Sequence, residues 1–178
     1  MSNPKVKRVV LGVCGSIAAY KAGDIIRRLQ DVQCDVTVIM TKGAGQFITP
    51  LTLSSLSGKT AHSDMFDKDS WRMAHIELAK STDLILIAPA TANVIGKLAN
   101  GLADDLLTTF VITSKAPVLI APAMNDEMYA NEIVRENCAK LKKHGFKFIE
   151  PVKGKLVCGT VGIGHLAEIE DIVKAVVV

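Results

Sequence analysis

The chain has 178 residues, 49% hydrophobic and 22% charged, and its 21 basic and 18 acidic side chains leave a formal net charge of +3. That length suits one domain built on one main core, and this much apolar content excludes intrinsic disorder. The charges are interspersed without a block of one sign, which argues against an electrostatic nucleic-acid binder, and no run approaches the roughly 20 apolar residues that cross a bilayer.

Val9 to Val13 is an apolar, β-branched run broken by Gly12 and Gly15, the pattern of a buried strand ending in a tight turn. Ala22, Ile25, Ile26 and Leu29 then recur at helical spacing opposite Arg27, Arg28 and Gln30, so 18–30 reads as an amphipathic helix. Val36 to Met40 is the second strand; Thr49 and Pro50 follow as N-cap and first residue of a helix ending near Gly58. The third strand runs from Leu84 to Ala88, ahead of Pro89, and a helical stretch through Val94, Leu98, Leu106 and Leu107 breaks at Gly101. Val118 to Ala121 is the fourth strand. The next helix carries Ile133, Val134, Cys138 and Leu141, with Lys142, Lys143 and His144 suiting its dipole and Gly145 capping it. Phe146 to Ile149 is the fifth strand, and 169–177 forms the final helix. Between them, Gly154, Gly159, Gly162 and Gly164 surround Cys158 in a stretch that reads as a loop, either a surface excursion or a flap. Uninterrupted apolar strands alternating with helices predict an α/β fold of three layers, a doubly wound parallel sheet with helices on both faces.

In such sheets ligands sit beyond the carboxyl ends of the strands. After strand one, Gly12-Val-Cys-Gly15-Ser16-Ile17 can bring backbone N–H groups to a phosphate; an ordinary strand-to-helix turn reads the same. It is not GxGxxG, and no Asp or Glu lies between Asp35 and Asp64. The second strand therefore ends at Thr41 without the carboxylate that would hold a dinucleotide's ribose, and a mononucleotide phosphate fits better than NAD. Thr91 and Asn93 after strand three can line a flat ring, although Thr91 equally suits a helix N-cap. Asn125 after strand four can cap a helix or orient a carboxylate. His75 can be a surface group or a base at the sheet's edge. Cys14, Cys34 and Cys138 lie in apolar periodic segments and are expected in the core, whereas Cys158 lies in the glycine-rich loop, where a thiol has little to pack against. No CxxC pair exists, which argues against structural zinc. The N-terminal residues pass through Lys5, Lys7 and Arg8 into the first apolar run with no small-residue cleavage site, so a cytoplasmic protein without disulfides is expected.

Several segments together resemble the homo-oligomeric, flavin-containing cysteine decarboxylases, the family of the phosphopantothenoylcysteine decarboxylases and the lantibiotic peptidyl-cysteine decarboxylases. They are Gly15-Ser-Ile-Ala, the isolated His75, Ala88-Pro-Ala-Thr-Ala-Asn-Val-Ile-Gly-Lys-Leu-Ala-Asn-Gly-Leu-Ala-Asp-Asp-Leu106, Pro122-Ala-Met-Asn-Asp-Glu-Met128 and Gly154-Lys-Leu-Val-Cys158-Gly-Thr-Val-Gly-Ile-Gly164. The resemblance covers nearly the whole chain and implies a Rossmann-like, flavodoxin-like domain over 1–178 with a substrate flap at about 151–166. It implies FMN as cofactor, with Gly15, Ser16, Ile17 and Thr41 at the phosphate and Thr91, Ala92, Asn93, Val94 and Ala123 near the ring. It further implies His75 as the active-site base, Asn125 on the substrate carboxylate, and Lys155 and Val157 touching substrate. Cys158 would supply the proton of a final reductive step. That step separates family members acting on 4'-phosphopantothenoylcysteine, in coenzyme A synthesis, from peptidyl-cysteine decarboxylases, which stop at an enethiol. Two positions depart from the pattern: His165 stands where the flap commonly has Arg, and Tyr129 where Trp is frequent. A flavin prenyltransferase would share the phosphate loop but lack the His, Pro-Ala-Met-Asn and Cys-flap combination. A non-catalytic, FMN-binding regulatory subunit would share the fold, but nothing resembling such subunits' acidic tail is present. Trimers or multiples of trimers are implied, as is a synthetase domain in bifunctional members, which this chain does not contain.

Overall fold

The computed structural model describes residues 6–65, 74–155 and 161–178; at 74–76, 155 and 161 the description is of the backbone alone. Strand β1 (Lys7–Val13) leads through a 3-10 turn (Ile17–Lys21) into α1 (Ala22–Asp31), then β2 (Cys34–Met40) and a short 3-10 turn (Ala44–Gln46). Helices α2 (Pro50–Ser57) and α3 (Ala74–Ser81) precede β3 (Leu84–Ala90), α4 (Ala92–Ala99), α5 (Leu106–Thr113) and β4 (Val118–Pro122). Next come α6 (Asp126–Ala130), α7 (Glu132–Lys143), β5 (Lys147–Phe148), β6 (Val152–Lys155), β7 (Val161–His165) and α8 (Ile169–Val177).

The five-stranded sheet has the order β2-β1-β3-β4-β5 with every pairing parallel. Side chains alternate across a strand, and here both faces are covered. Val9, Leu11 and Val13 of β1, with Leu84 and Leu86 of β3, join Ile25, Ile26 and Leu29 of α1 and Ile172 and Val176 of α8 in one buried cluster. Val10, Ile85 and Ile87 face the other way, onto Ile95 of α4, Leu107 and Phe110 of α5 and Leu141 of α7. Each such side chain contributes about 1.5–3 kcal/mol by leaving water, and this sandwich is the three-layer arrangement the apolar runs imply. Gly12 belongs to it for reasons of space: a Cβ there would lie 2.7 Å from Leu107 Cδ1.

The helix ends follow local chemistry. Thr49 caps α2 by accepting from Thr52 N–H, Pro50 occupies the first position, and Gly58 closes the helix at φ 72°. α4 ends before Gly101 (φ 69°) and α7 before Gly145 (φ 88°). Asp105 and Thr108 form a reciprocal capping box on α5.

Four boundaries differ from the sequence reading. The helix expected over 18–30 opens as a 3-10 turn. β3 continues through Pro89 to Ala90, the proline falling where the β3–β4 register shifts between Ile87 and Ala90, a place where a missing N–H is tolerated. β5 is two residues rather than four. The stretch expected to be a loop contains an antiparallel hairpin, β6 paired with β7. Its glycines serve close approach: a Cβ on Gly162 would collide with the Asp126 side chain, one on Gly164 with Met124 O, and one on Gly154 would come within 2.9 Å of the His165 ring. Among the described residues no helix is long and apolar enough to cross a membrane.

Candidate functional site

The chain leaves β1 toward β2 on one side and enters β3 for β4 and β5 on the other, so the strand order reverses between β1 and β3. The crevice at the carboxyl ends of two such strands is where open α/β sheets bind ligands. Three connections converge there. Thr41 N–H donates to Val13 O at 2.9 Å, which brings the end of β2 beside that of β1. A Cβ on Gly15 would lie 2.8 Å from the Gly43 carbonyl carbon, so glycine is what lets these two backbones meet. Cys14 N–H donates to Pro89 O at 3.2 Å, tying the same turn to β3.

The result is a cleft of about 450 Å³ lined by Gly15, Ser16, Thr41, Lys42, Gly43, Thr91, Ala92, Asn93, Val94, Lys97, Asp105, Ala123, Met124 and Met128, within the size range of small-molecule sites. Eight of the nine residues expected to hold the cofactor line it, and Ile17 lines the neighbouring cleft. Ser16 Oγ accepts from Ala18 N–H at 3.3 Å and caps the 3-10 turn. Thr91 Oγ1 accepts from Val94 N–H at 3.4 Å and caps α4. Among the described residues no carbonyl accepts from the Ala92 or Asn93 N–H groups, so the opening turn of α4 offers donors and the positive end of its dipole. Backbone donors, hydroxyls and exposed Lys42 fit a phosphate, and the Ala92, Val94 and Ala123 wall suits a flat ring.

Lys97, Asp105 and Gly43 also line this cleft and were not expected there. Lys97 Nζ lies 2.7 Å from Asp104 Oδ1 and 3.0 Å from Asp105 Oδ2, so its charge is matched at the cleft wall. The i, i+4 spacing of Asn93 and Lys97 is the signal that puts both on one helix face. Burial opposes ionisation of the Asp105 carboxyl, but the Thr108 N–H, Lys97 and Thr108 hydroxyl outweigh it and hold the group below the usual carboxylate range. Cys14 lies fully buried behind the cleft, its thiol pushed up to about 12 by burial. Cys34 and Cys138 are buried and shifted upward for the same reason.

A second cleft, of about 560 Å³, adjoins the first through Ser16, Ala123 and Met124 and reaches Asn125. Asn125 Oδ1 caps α6, accepting from Glu127 N–H at 2.9 Å and Met128 N–H at 3.4 Å. The β6–β7 hairpin closes one side, with Met124 N–H donating to Gly164 O at 3.0 Å. Tyr129 O–H donates to Glu150 Oε2 at 2.5 Å, and Glu150 Oε1 lies 2.7 Å from Lys142 Nζ.

His75 lies in α3, but its side chain is outside the described residues, as are Val157, Cys158 and the side chain of Lys155. The described part of α3 lines a separate cleft of about 600 Å³, through Glu77, Leu78 and Ser81 facing Thr37, Ile39 and His62.

A family model described as Flavoprotein matches residues 2–178. A protein of Streptococcus mutans named as a probable phosphopantothenoylcysteine decarboxylase is 44% identical over 173 residues, 96% of this chain and 97% of that one. The coenzyme A biosynthesis bifunctional protein CoaBC of Bacillus subtilis is 48% identical over 169 residues. The chain spans only 41–44% of the length of such bifunctional relatives. Among solved structures, a cysteine-to-serine mutant of PPC decarboxylase complexed with pantothenoylaminoethenethiol superposes with a TM-score of 0.87 at 32% identity, covering 97% of each chain. The FMN binding protein AtHal3 gives 0.85 at 34% identity, covering 97% of this chain and 95% of its own. A phosphate-fitting cleft at the β1–β3 switch point and a family model that spans nearly every residue agree: the chain belongs to the Flavoprotein family.

Proposed function

We propose that this chain is an FMN-dependent decarboxylase that converts 4'-phosphopantothenoylcysteine to 4'-phosphopantetheine in coenzyme A synthesis. The observation that carries the reading is the cleft where Gly15, Ser16 and Thr41 meet the opening turn of α4, a donor set suited to a flavin mononucleotide. Both the Streptococcus relative and the PPC decarboxylase structure bear names that support the same activity. Gly15, Ser16, Ile17 and Thr41 hold the phosphate, and Thr91, Ala92, Asn93, Val94 and Ala123 face the ring.

A simple amino-acid carboxylate cannot leave as carbon dioxide, because the carbanion left behind has nowhere to delocalise. FMN, when bound, supplies a two-electron oxidation and later the return of those electrons. His75 takes the substrate thiol proton as the cysteinyl end is oxidised to a thioaldehyde. The C=S group accepts the electron pair released with carbon dioxide, giving an enethiolate. Asn125, its amide plane fixed by capping through Oδ1, turns Nδ2 toward the substrate carboxylate. Lys155 and Val157 contact the substrate. Cys158 supplies the proton as the enethiol is reduced to the product thiol. The chain assembles as a homo-oligomer, a trimer or a multiple of trimers, with cofactor sites at contacts between copies; that the described part of α3 lines neither cleft at the switch point fits a base supplied by another copy. A synthetase activity that joins cysteine to 4'-phosphopantothenate, fused or separate, would supply the substrate.

A visible spectrum of the purified protein, followed by anaerobic addition of 4'-phosphopantothenoylcysteine, tests the reading. Flavin absorbance with stoichiometric release of carbon dioxide is the expected result. A colourless protein that refuses added FMN would refute it.

A further inference from the structure

The connection from β5 into the hairpin is tied to two helices by one side chain. Glu150 follows Ile149, whose N–H donates to Ile120 O at 2.8 Å, so it leaves the sheet beside the carboxyl end of β4. Two residues later β6 begins, at Val152. Tyr129, near the end of α6, donates its O–H to Glu150 Oε2 at 2.5 Å, and Lys142, in the last turn of α7, places Nζ 2.7 Å from Glu150 Oε1. Each carboxylate oxygen therefore holds a different helix. Burial opposes ionisation of Glu150, but Lys142 and the Tyr129 hydroxyl outweigh it and hold the carboxyl below the usual carboxylate range. The two ties are unequal. Lys142 and Glu150 form a pair exposed on both sides, 49% and 57%, and such pairs contribute little. The Tyr129 hydroxyl, on a half-buried ring, donates to an ionised acceptor, which makes it the stronger bond.

The other end of α6 meets the other strand of the hairpin. Met124 N–H donates to Gly164 O at 3.0 Å, and Gly162 packs so closely on the Asp126 side chain that a Cβ would collide. Helix α6 is five residues long and none of them is buried, so core packing does not fix its place. Its two ends are held instead by the two sides of the hairpin, β7 at 124–126 and the chain entering β6 at Tyr129. Asn125 caps this helix, so its amide takes its direction from the way α6 lies.

We propose that Tyr129 and Glu150 are positioning residues: their hydrogen bond holds α6 against the base of the hairpin and so aims the Asn125 amide at the substrate carboxylate. The inference rests on the decarboxylase reading and adds to it two residues that line neither cleft at the switch point.

Tyr129→Phe removes the hydroxyl and keeps the ring, and Glu150→Gln keeps an acceptor for that hydroxyl. In the FMN-loaded protein, Tyr129→Phe should lower kcat/KM for 4'-phosphopantothenoylcysteine about three- to tenfold, and Glu150→Gln less than about threefold. Inhibition by 4'-phosphopantetheine, which lacks the carboxylate, should stay within about twofold in both. Once Glu150→Ala is present, adding Tyr129→Phe should lower kcat/KM by less than about twofold more, because the bond is already gone. Unchanged kcat/KM in Tyr129→Phe, an equal loss of affinity for substrate and product, or additive effects of Tyr129→Phe and Glu150→Ala would overturn the proposal. Hydrogen exchange of a peptide spanning 124–130 needs no turnover: it should run at least about fivefold faster in Tyr129→Phe, and unchanged exchange would overturn the proposal as well. Carbon dioxide release by the unaltered protein separates the two ideas. Release, with a Tyr129→Phe variant that matches it in every respect, sinks the positioning role alone. No release sinks the decarboxylase reading and the aim at a carboxylate with it, while faster exchange in the variant would still support the tie between α6 and the hairpin.

Discussion

Gly15 and Gly43 meet in the wall of the candidate cofactor cleft, and their geometry is asymmetric. A Cβ on Gly15 would lie 2.8 Å from the Gly43 carbonyl carbon and 3.0 Å from its Cα and O, all backbone atoms that cannot rotate aside. A Cβ on Gly43 would find Gly15 Cα at 3.4 Å, an ordinary contact, and Gly43 sits at φ −66°, which alanine adopts freely. Gly15 is not among the described residues with positive φ, so the demand at this position is space. Forcing a methyl into a packed backbone contact costs about 1–3 kcal/mol. Under the proposed function this turn holds the cofactor phosphate, so the same displacement should weaken FMN binding by roughly 5- to 150-fold at about 1.4 kcal/mol per tenfold. Gly43→Ala should stay within about threefold of the unaltered protein. Fluorescence-quenching titration with FMN measures both, and urea unfolding of the cofactor-free variants separates a local from a global effect. Normal FMN binding by Gly15→Ala, or greater damage from Gly43→Ala, would refute the close-approach argument.

Asp105→Ala removes the cap of α5 and one partner of Lys97, and should cost about 1–3 kcal/mol in urea unfolding; a loss under about 0.5 kcal/mol would show the cap to be idle. The Asp105 carboxyl is held below its ordinary range, so its stabilisation is present above that range and fades as pH falls through the folded value. Asp105→Asn should accordingly flatten the decline of stability below about pH 4. In the folded protein a thiol reagent should leave Cys14, Cys34 and Cys138 unmodified, since all three are buried and shifted upward; mass-mapped labelling of Cys14 without denaturant would contradict that packing. Under the proposed function, Cys158→Ser should release carbon dioxide yet accumulate the enethiol, detectable by mass spectrometry, and normal 4'-phosphopantetheine formation would remove Cys158 from the reductive step.

The central strands were legible because burial on both faces writes itself as continuous apolar sequence, as in 84–88 and 118–121. The edge was harder. β5 pairs through Leu119–Lys147 and Ile120–Phe148 alone, with one further bond from Ile149 N–H to Ile120 O, so its apolar run overstates the strand. Pro89 reads as a stop in sequence but falls at a register shift, where the sheet makes no demand on the absent N–H. The five-residue helix α6 lacks the length for a clear periodic signal. Lys97 and Asp105 could be placed on their helices from sequence, but their meeting depends on the angle between α4 and α5, which no local pattern encodes.

Thr91 and Asn125 show why the local and the functional readings of a residue need not compete. Each was expected to be either a cap or a ligand contact, and each is a cap. An N-cap side chain satisfies the N–H two or three positions on, which fixes the helix start immediately beyond the end of a parallel strand. At Thr91 that act takes up Val94 N–H and leaves the two preceding N–H groups facing the cleft. At Asn125 the carbonyl oxygen is committed to the backbone, so the amide nitrogen has a defined direction instead of a rotating one. Capping is thus the device that orients the donors, and replacing either residue should disturb ligand binding more than the modest cost of a lost cap implies. Thr91→Ser, which keeps the hydroxyl, should preserve FMN affinity within about threefold. Thr91→Val, which keeps the shape and removes the acceptor, should not; equal affinities for the two variants would separate capping from binding and defeat this argument.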